Sequence, residues 1–385
     1  MIKKVLTAAV IVVASCGAHA EVASPQPPGG YVVPGNAVAV STSAQLTAEL
    51  GKSAHIIVLR DGVYSATTPF TVSKAHQIYA EHVGGAVLTA GLKISIAGVT
   101  IQGLSFNVTN KSAAVFPWGN SADDSSVIEL QASSTRNTKL LDLTINGNSV
   151  VGSAIAARQP EGLQIQRVVA SGFLSYGLYA DADRFNLAVA NAPVLSDLNL
   201  SNVSRATPKI SDGTAEACLW VGYAAKVDRV KVRNCAWMGV WTGTSAKNVT
   251  MSDIDIDAIR YGVGIYAEHF TTNSLFQRID VGPGTILGVE CEWADPAWQR
   301  KPACDGVVFQ DATLRSSCAG VWLDEGTKTS TVRRSTFVGQ SVAGVVTTRT
   351  KGSMYDASGN DYSQLMPGAK TVAELDNPCP LNPTP

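Results

Sequence analysis

The chain has 385 residues, a formal net charge of -1 and only 16% charged residues, so it lacks the basic footprint of a nucleic-acid binder. Hydrophobic residues make up 45% of it and glycines number 34, which excludes a highly charged disordered chain and suits a turn-rich β architecture.

Lys3 and Lys4, the apolar stretch Val5 to Val13 and the small-residue site Ala18-His19-Ala20 read as an export signal over residues 1–20. The apolar run is too short to cross a bilayer, so no transmembrane segment is expected. Val13-Ala14-Ser15-Cys16 also resembles a lipobox, which would make Cys16 a lipidated N-terminus in place of cleavage after Ala20. Either route takes the protein out of the cytoplasm, secreted or periplasmic. Residues 21–40 form a proline- and glycine-rich leader. From Ser43 the pattern AQLTAEL predicts a short helix ending at Gly51, placed to cover the open end of a stack of strands.

From Ala54 onward short strands recur with a period of roughly 22 to 33 residues. The first strand of each unit alternates, as in VTIQGLSF from Val99, GLQIQRVVA from Gly162 and NVTMSDIDI from Asn248. A second strand follows that opens with glycine: GLYAD, GVWTG, GIYAE, GVECE, GVWLD and GVVTT. This period is too short for a βα unit and fits the coils of a solenoid stacked about 4.8 Å apart. The expected fold is all-β, a single-stranded right-handed parallel β-helix over residues 41–352 with a short N-terminal capping helix. Residues 353–385, where the repeat fades, are expected to form a C-terminal cover and tail.

Aligning the first strands puts Asp142, Arg167, Asp197, Arg229, Asp253, Arg278, Asp311 and Arg334 in one column of alternating sign. Stacked opposite charges attract, so this ladder is read as structural, fixing register between coils. Asp255 and Asp280 beside Lys231 are read as solvated surface. After the signal there are six cysteines, an even number that favours disulfides in an oxidising compartment. Cys291 with Cys304 would staple the loop between them, and Cys379 would tie the tail to the body.

The segment STSAQLTAELGKSAHIIVLRDGVY, followed by QIYAEHVGGAVLTAGLKISIAGVTIQGLSF, resembles the opening coils of the pectin-lyase-like β-helix superfamily. It is most similar to the chondroitinase B and alginate lyase group. The resemblance spans Ser41 to Phe106 and implies the β-helix fold and a carbohydrate substrate. The group's Lys/Arg catalytic motif is not found, nor are the polygalacturonase and alginate-epimerase motifs, so the resemblance implies no particular chemistry.

Alternation along the second strands gives two outward columns. One reads Tyr179, Trp220, Trp241, Tyr266, Glu290 and Trp322, then Val346; the other reads Arg158, Asp181, Gly222, Gly243, Glu268, Glu292, Asp324 and Thr348. Together they make an aromatic strip beside a carboxylate strip, with a hollow expected at the two glycines. Sugar rings stack on Trp and Tyr while carboxylates accept their hydroxyls, so a linear polysaccharide is the expected partner. Trp298, in the loop after Glu292, and Arg349 extend the expected substrate contacts. A plain aromatic ladder is the competing reading of the same strip.

Glu268, Glu292 and Asp324 fall in three consecutive coils and are the candidate catalytic residues. Neighbouring coils would separate two of them by about 5 Å and alternate coils by about 9–10 Å. Retaining glycosidases use carboxyls about 5–5.5 Å apart and inverting ones about 6.5–9.5 Å, so hydrolysis fits. The same acids suit Ca²⁺, with a basic residue such as Arg349, His269 or Arg260 abstracting a proton in a lyase reaction. Calcium is therefore the one cofactor considered. A non-catalytic glycan-binding or cell-surface structural β-helix is the alternative function.

Overall fold

The computed structural model describes residues 30–115, 125–131, 136–158, 161–181, 191–204, 217–243, 246–259, 262–268, 270–291, 304–348, 355–376 and 378–379. The expected export signal lies outside these residues. Among them, the only α-helix is Ser43–Leu50. Thr42 is its N-cap, with Oγ1 accepting from the Gln45 N–H at 3.2 Å, and Gln45 reaches back to accept from the Ser41 N–H at 2.8 Å. Leu46 and Leu50, one turn apart, are buried and join the core at the N-terminal end of the stack.

All ladders between the strands of the two large sheets are parallel. In the first coils the first sheet runs as two separate arms. Ile56–Leu59 pairs with Gln77–Ala80 and then Thr100–Gln102, while Gly62–Tyr64 pairs with Ala86–Leu88 and then Ser105–Asn107. From Lys139 to Val281 the two arms merge into one long strand per coil, Lys139–Asn146 pairing with both, and beyond it they part again into Val308–Gln310 and Thr313–Leu314. The second sheet takes one strand from each coil, from Phe70–Val72 through Met238–Thr242 to Lys370–Glu374. Inward Val, Ile, Leu and Phe from both sheets fill a single core cluster running the length of the solenoid.

The Asp/Arg column sits where the two arms of the first sheet meet. Asp142, Arg167, Asp197, Arg229, Asp253, Arg278, Asp311 and Arg334 all have φ between 50° and 57°. A non-glycine residue there costs about 1–2 kcal/mol, so each must be held by its surroundings. The left-handed residue adds an outward position to the strand. In Lys226–Cys235, Val227 is buried, Asp228 and Arg229 both face out, and Val230 and Val232 return to the core. Each arginine reaches back one coil and grips both carboxylate oxygens of the preceding aspartate. Arg229 Nε and Nη2 stand 2.6 and 3.0 Å from Asp197, and Arg334 does the same to Asp311 at 2.8 Å twice. Arg278 pairs with Asp253 and Arg167 with Asp142 in the same manner. The column is structural, as its alternation suggested. Asp255 and Asp280 are exposed or half-buried on the same sheet and pair with Arg233 and Arg315 rather than with Lys231.

One feature differs from the sequence reading. The coils do not stop near residue 352: Tyr355–Ser358, Asp361–Gln364 and Lys370–Glu374 add in parallel to the coil before them. Asp361, Ser363 and Gln364 are all solvent-accessible, so this last coil lacks the apolar alternation that marks the others. The cysteines form three disulfides, Cys218–Cys235, Cys291–Cys304 and Cys318–Cys379. They point to a protein that matures outside the cytoplasm. No helix among the described residues is long and apolar enough to cross a membrane.

Candidate functional site

The second-sheet register places the expected aromatic column in line. Tyr179 pairs with Trp220, Trp220 with Trp241, Trp241 with Tyr266, Tyr266 with Glu290 and Glu290 with Trp322. The rings pack on one another: Trp220 and Trp241 centroids are 4.0 Å apart, and Trp241 meets Tyr266 edge-on at 5.3 Å. A second outward column of Ala217, Met238, Val263, Leu287, Ala319 and Ala343 packs beside them as one outer apolar cluster. Trp241, Tyr266 and Trp322 are consequently buried, with 8%, 8% and 7% of their surface exposed. Tyr179 and Trp220 are half-buried. The three central rings therefore do not offer open faces to a sugar; they form a packed ladder.

What the ladder does is orient the neighbouring column. Trp241 donates its indole N–H to Glu268 Oε2 at 2.9 Å, one coil on. Trp322 donates to Thr348 Oγ1 at 3.0 Å, again one coil on, and Thr348 donates to Asp324 Oδ1 at 2.6 Å. Asp324 Oδ1 also accepts the N–H of Glu325 at 2.7 Å. Both carboxylates are half-buried. Their strands, Val263–Ala267 and Ala319–Leu323, flank Leu287–Cys291 on either side, so Glu268 and Asp324 lie two coils apart, about 9–10 Å.

At Gly243 the expected hollow is filled. A side chain built on Gly243 would meet the Trp220 ring at 2.9 Å from Nε1, 3.0 Å from Cζ2 and 3.1 Å from Cε2. The indole thus lies across Gly243, and its N–H, which would find its acceptor one coil on if it followed Trp241 and Trp322, has no hydrogen-bond partner among the described residues. Glu292, Trp298 and Arg349 lie outside the described residues, as do Arg260 and His269. Asp181 continues the carboxylate column from Arg158 in backbone register.

The sequence reading missed the start of the aromatic column. Lys93 and Glu129 occupy it before Ala156 and Tyr179. Glu129 is only 7% exposed, its Oε2 has no hydrogen-bond partner among the described residues, and burial pushes its carboxyl above the ordinary range against the opposing effect of Lys93 and Arg158. The glycine that opens later second strands is absent from SVIEL, so only counting coils backward from Tyr179 would have found it.

Solved structures resemble this architecture at low sequence identity. A mannuronic acid specific polysaccharide family 6 lyase from human gut microbiota aligns over 86% of this chain and 83% of its own, at 11% identity and a TM-score of 0.54. PfbA, a surface adhesin of Streptococcus pneumoniae, aligns over 86% of both chains at 8% identity and a TM-score of 0.57. A thermostable GH87 alpha-1,3-glucanase from Streptomyces thermodiastaticus aligns over 90% of this chain and 71% of its own, at 10% identity and 0.54. The chain shares the right-handed parallel β-helix fold with these structures. No protein-family model matches it, and no curated protein matches it in sequence. At these identities the likeness speaks for the β-helix alone.

Proposed function

We propose that this protein is an exported polysaccharide hydrolase that cleaves glycosidic bonds between Glu268 and Asp324. The observation that carries this is the pair itself: two half-buried carboxylates on one outward column, two coils apart, Glu268 held by Trp241 and Asp324 by Thr348, whose hydroxyl Trp322 holds in turn. That spacing of about 9–10 Å from coil geometry lies at the upper edge of the inverting range, which leaves room for a water beside the sugar. Asp324, gripped by Thr348 and the Glu325 N–H, is assigned the base that takes a proton from the attacking water. Glu268 gives its proton to the glycosidic oxygen as the bond to the anomeric carbon breaks. The hydroxyl of the water ends on that carbon, and the departing chain keeps the proton from Glu268. Half-buried Tyr179 and Trp220 present ring surface to sugars on the N-terminal side.

The test is turnover on polymannuronate, alpha-1,3-glucan, chondroitin sulfate and polygalacturonate. Glu268→Gln and Asp324→Asn should each abolish cleavage while the circular dichroism spectrum stays that of the wild type. Unchanged turnover in either variant would sink the assignment.

A non-catalytic glycan-binding role is the second reading, favoured by the burial of the three central rings. It predicts binding to one of these polymers without product.

A further inference from the structure

Near the N-terminal end of the stack, the junction between the two arms of the first sheet gathers a separate set of polar side chains. Leu59 pairs with Ala80, so Arg60 and Asp61 of one coil lie beside Glu81 and His82 of the next. That next coil has five residues between its arms, Glu81 to Gly85, where the coils on either side have two, Arg60-Asp61 and Gly103-Leu104. Backbone hydrogen bonds hold the longer loop in place. The Glu81 N–H donates to the Leu59 carbonyl at 2.7 Å, the Gly84 N–H to Gly103 at 2.8 Å and the Gly62 N–H to Gly85 at 2.9 Å. The Asp61 carboxylate rests on Gly85, where a Cβ would collide with Oδ1.

Asp61, Glu81 and His82 each offer a metal-ligand atom, and these atoms lie within 4.8 Å of one another; no other such group occurs among the described residues. His82 Nδ1 stands 2.8 Å from Asp61 Oδ2, and Glu81 Oε1 accepts from Arg60 Nη1 at 2.9 Å. Further along the same junction, Asp142, Asp197, Asp253 and Asp311 are each gripped by an arginine of the next coil, whereas Asp61 meets an imidazole there. A guanidinium has no lone pair to give a metal; an imidazole does. Asp61 and His82 are exposed and Glu81 is half-buried, so an ion and its waters can reach all three from solvent.

We propose that Asp61, Glu81 and His82 form a divalent-metal site that takes Zn²⁺ and clasps two neighbouring coils together. One imidazole nitrogen and two carboxylate oxygens suit Zn²⁺, with water completing the shell, and disfavour Ca²⁺ and Mg²⁺, which take oxygen ligands. Zinc bonds of about 2.0–2.2 Å hold their ligand atoms about 3.3–3.6 Å apart, so these side chains need to shift by only about 1 Å. The clasp lies where strands are short: Ile56–Leu59 and Gly62–Tyr64 have four and three residues, against eight and ten in Lys139–Asn146 and Gln164–Phe173. The site makes no use of Glu268 and Asp324 and is independent of the cleavage reading.

Calorimetric titration of the chelator-treated protein with zinc chloride tests it. The wild type should bind one Zn²⁺ saturably and more tightly than Ca²⁺, and zinc should slow hydrogen exchange over residues 56–64 and 77–88. His82→Ala and Asp61→Asn, with wild-type circular dichroism spectra, should lose both the binding and the protection. Arg60→Ala should tighten binding about two- to fivefold, the worth of the exposed ion pair that now engages Glu81. Absence of saturable zinc binding by the wild type, or binding that survives in both His82→Ala and Asp61→Asn, overturns the site. Tighter binding of Ca²⁺ than of Zn²⁺ overturns it as well.

Discussion

At the scale of single residues, the site depends on tryptophans acting through hydrogen bonds rather than through exposed ring faces. Removing the Trp241 donor in Trp241→Phe keeps most of the packing but frees Glu268 to rotate. Glu268 becomes charged as it gives up its proton, and a hydrogen bond to a charged group is worth about 1.5–3 kcal/mol, so kcat should fall roughly ten- to a hundredfold with KM little changed. A KM effect without a kcat effect would make Trp241 a sugar platform and contradict its positioning role. Glu129 gives a second residue-scale prediction. Its folded-state carboxyl titrates above the ordinary 4.5, so the folded protein binds the proton more tightly than the unfolded chain. Stability from this site is therefore fully present below about pH 4.5 and declines as pH rises through the raised value. Glu129→Gln keeps the shape and removes the ionisation. It should raise the melting temperature by about 2–4 °C at pH 8 and leave it unchanged at pH 4. Equal shifts at both pH values would show that the effect is not one of charge.

At the scale of elements, the later second strands were legible because a glycine opens most of them and alternation then fixes which side chains face out. The reason for that glycine is steric: a Cβ on Gly264 would stand 2.6 Å from the Gly288 carbonyl oxygen of the next coil and 3.2 Å from the Val281 methyls. Gly264→Ala should cost about 1–3 kcal/mol in denaturant unfolding, as an overpacked position does. A neutral result would mean that the coils are spaced more loosely than the register implies. The first strands were harder to read. Their alternation slips wherever a left-handed residue inserts a second outward position, as at Asp228 and Arg229, and no glycine or asparagine announces it when the residue is arginine. Only the alternating charge betrayed the column. The helix Ser43–Leu50 was plain from Thr42, Gln45 and the Leu46/Leu50 pair, because its cap and its apolar stripe are both local signals.

At the scale of the whole molecule, the solenoid was evident from its repeat, whereas the path of the tail was not. Lys370–Glu374 has one buried residue in five, because a terminal coil has a neighbour on one side only and needs little apolar alternation. Pairwise cysteine spacing also says nothing about which coils lie next to one another, so Cys218–Cys235 and Cys318–Cys379 became visible only in three dimensions. The position of the carboxylates was legible, and the burial of the aromatic rings was not, since sequence alternation separates outward from inward but does not show what else packs on the outside. The assembled picture is a solenoid with a packed aromatic ladder and an acidic pair beside it. Its central claim is that Glu268 and Asp324 hydrolyse a glycosidic bond across a two-coil gap. Proton NMR of the first-formed product on the four polymers tests this most directly. The account predicts a reducing end of inverted anomeric configuration and no olefinic proton; a retained anomer, or the olefinic signal of an unsaturated sugar, would contradict it.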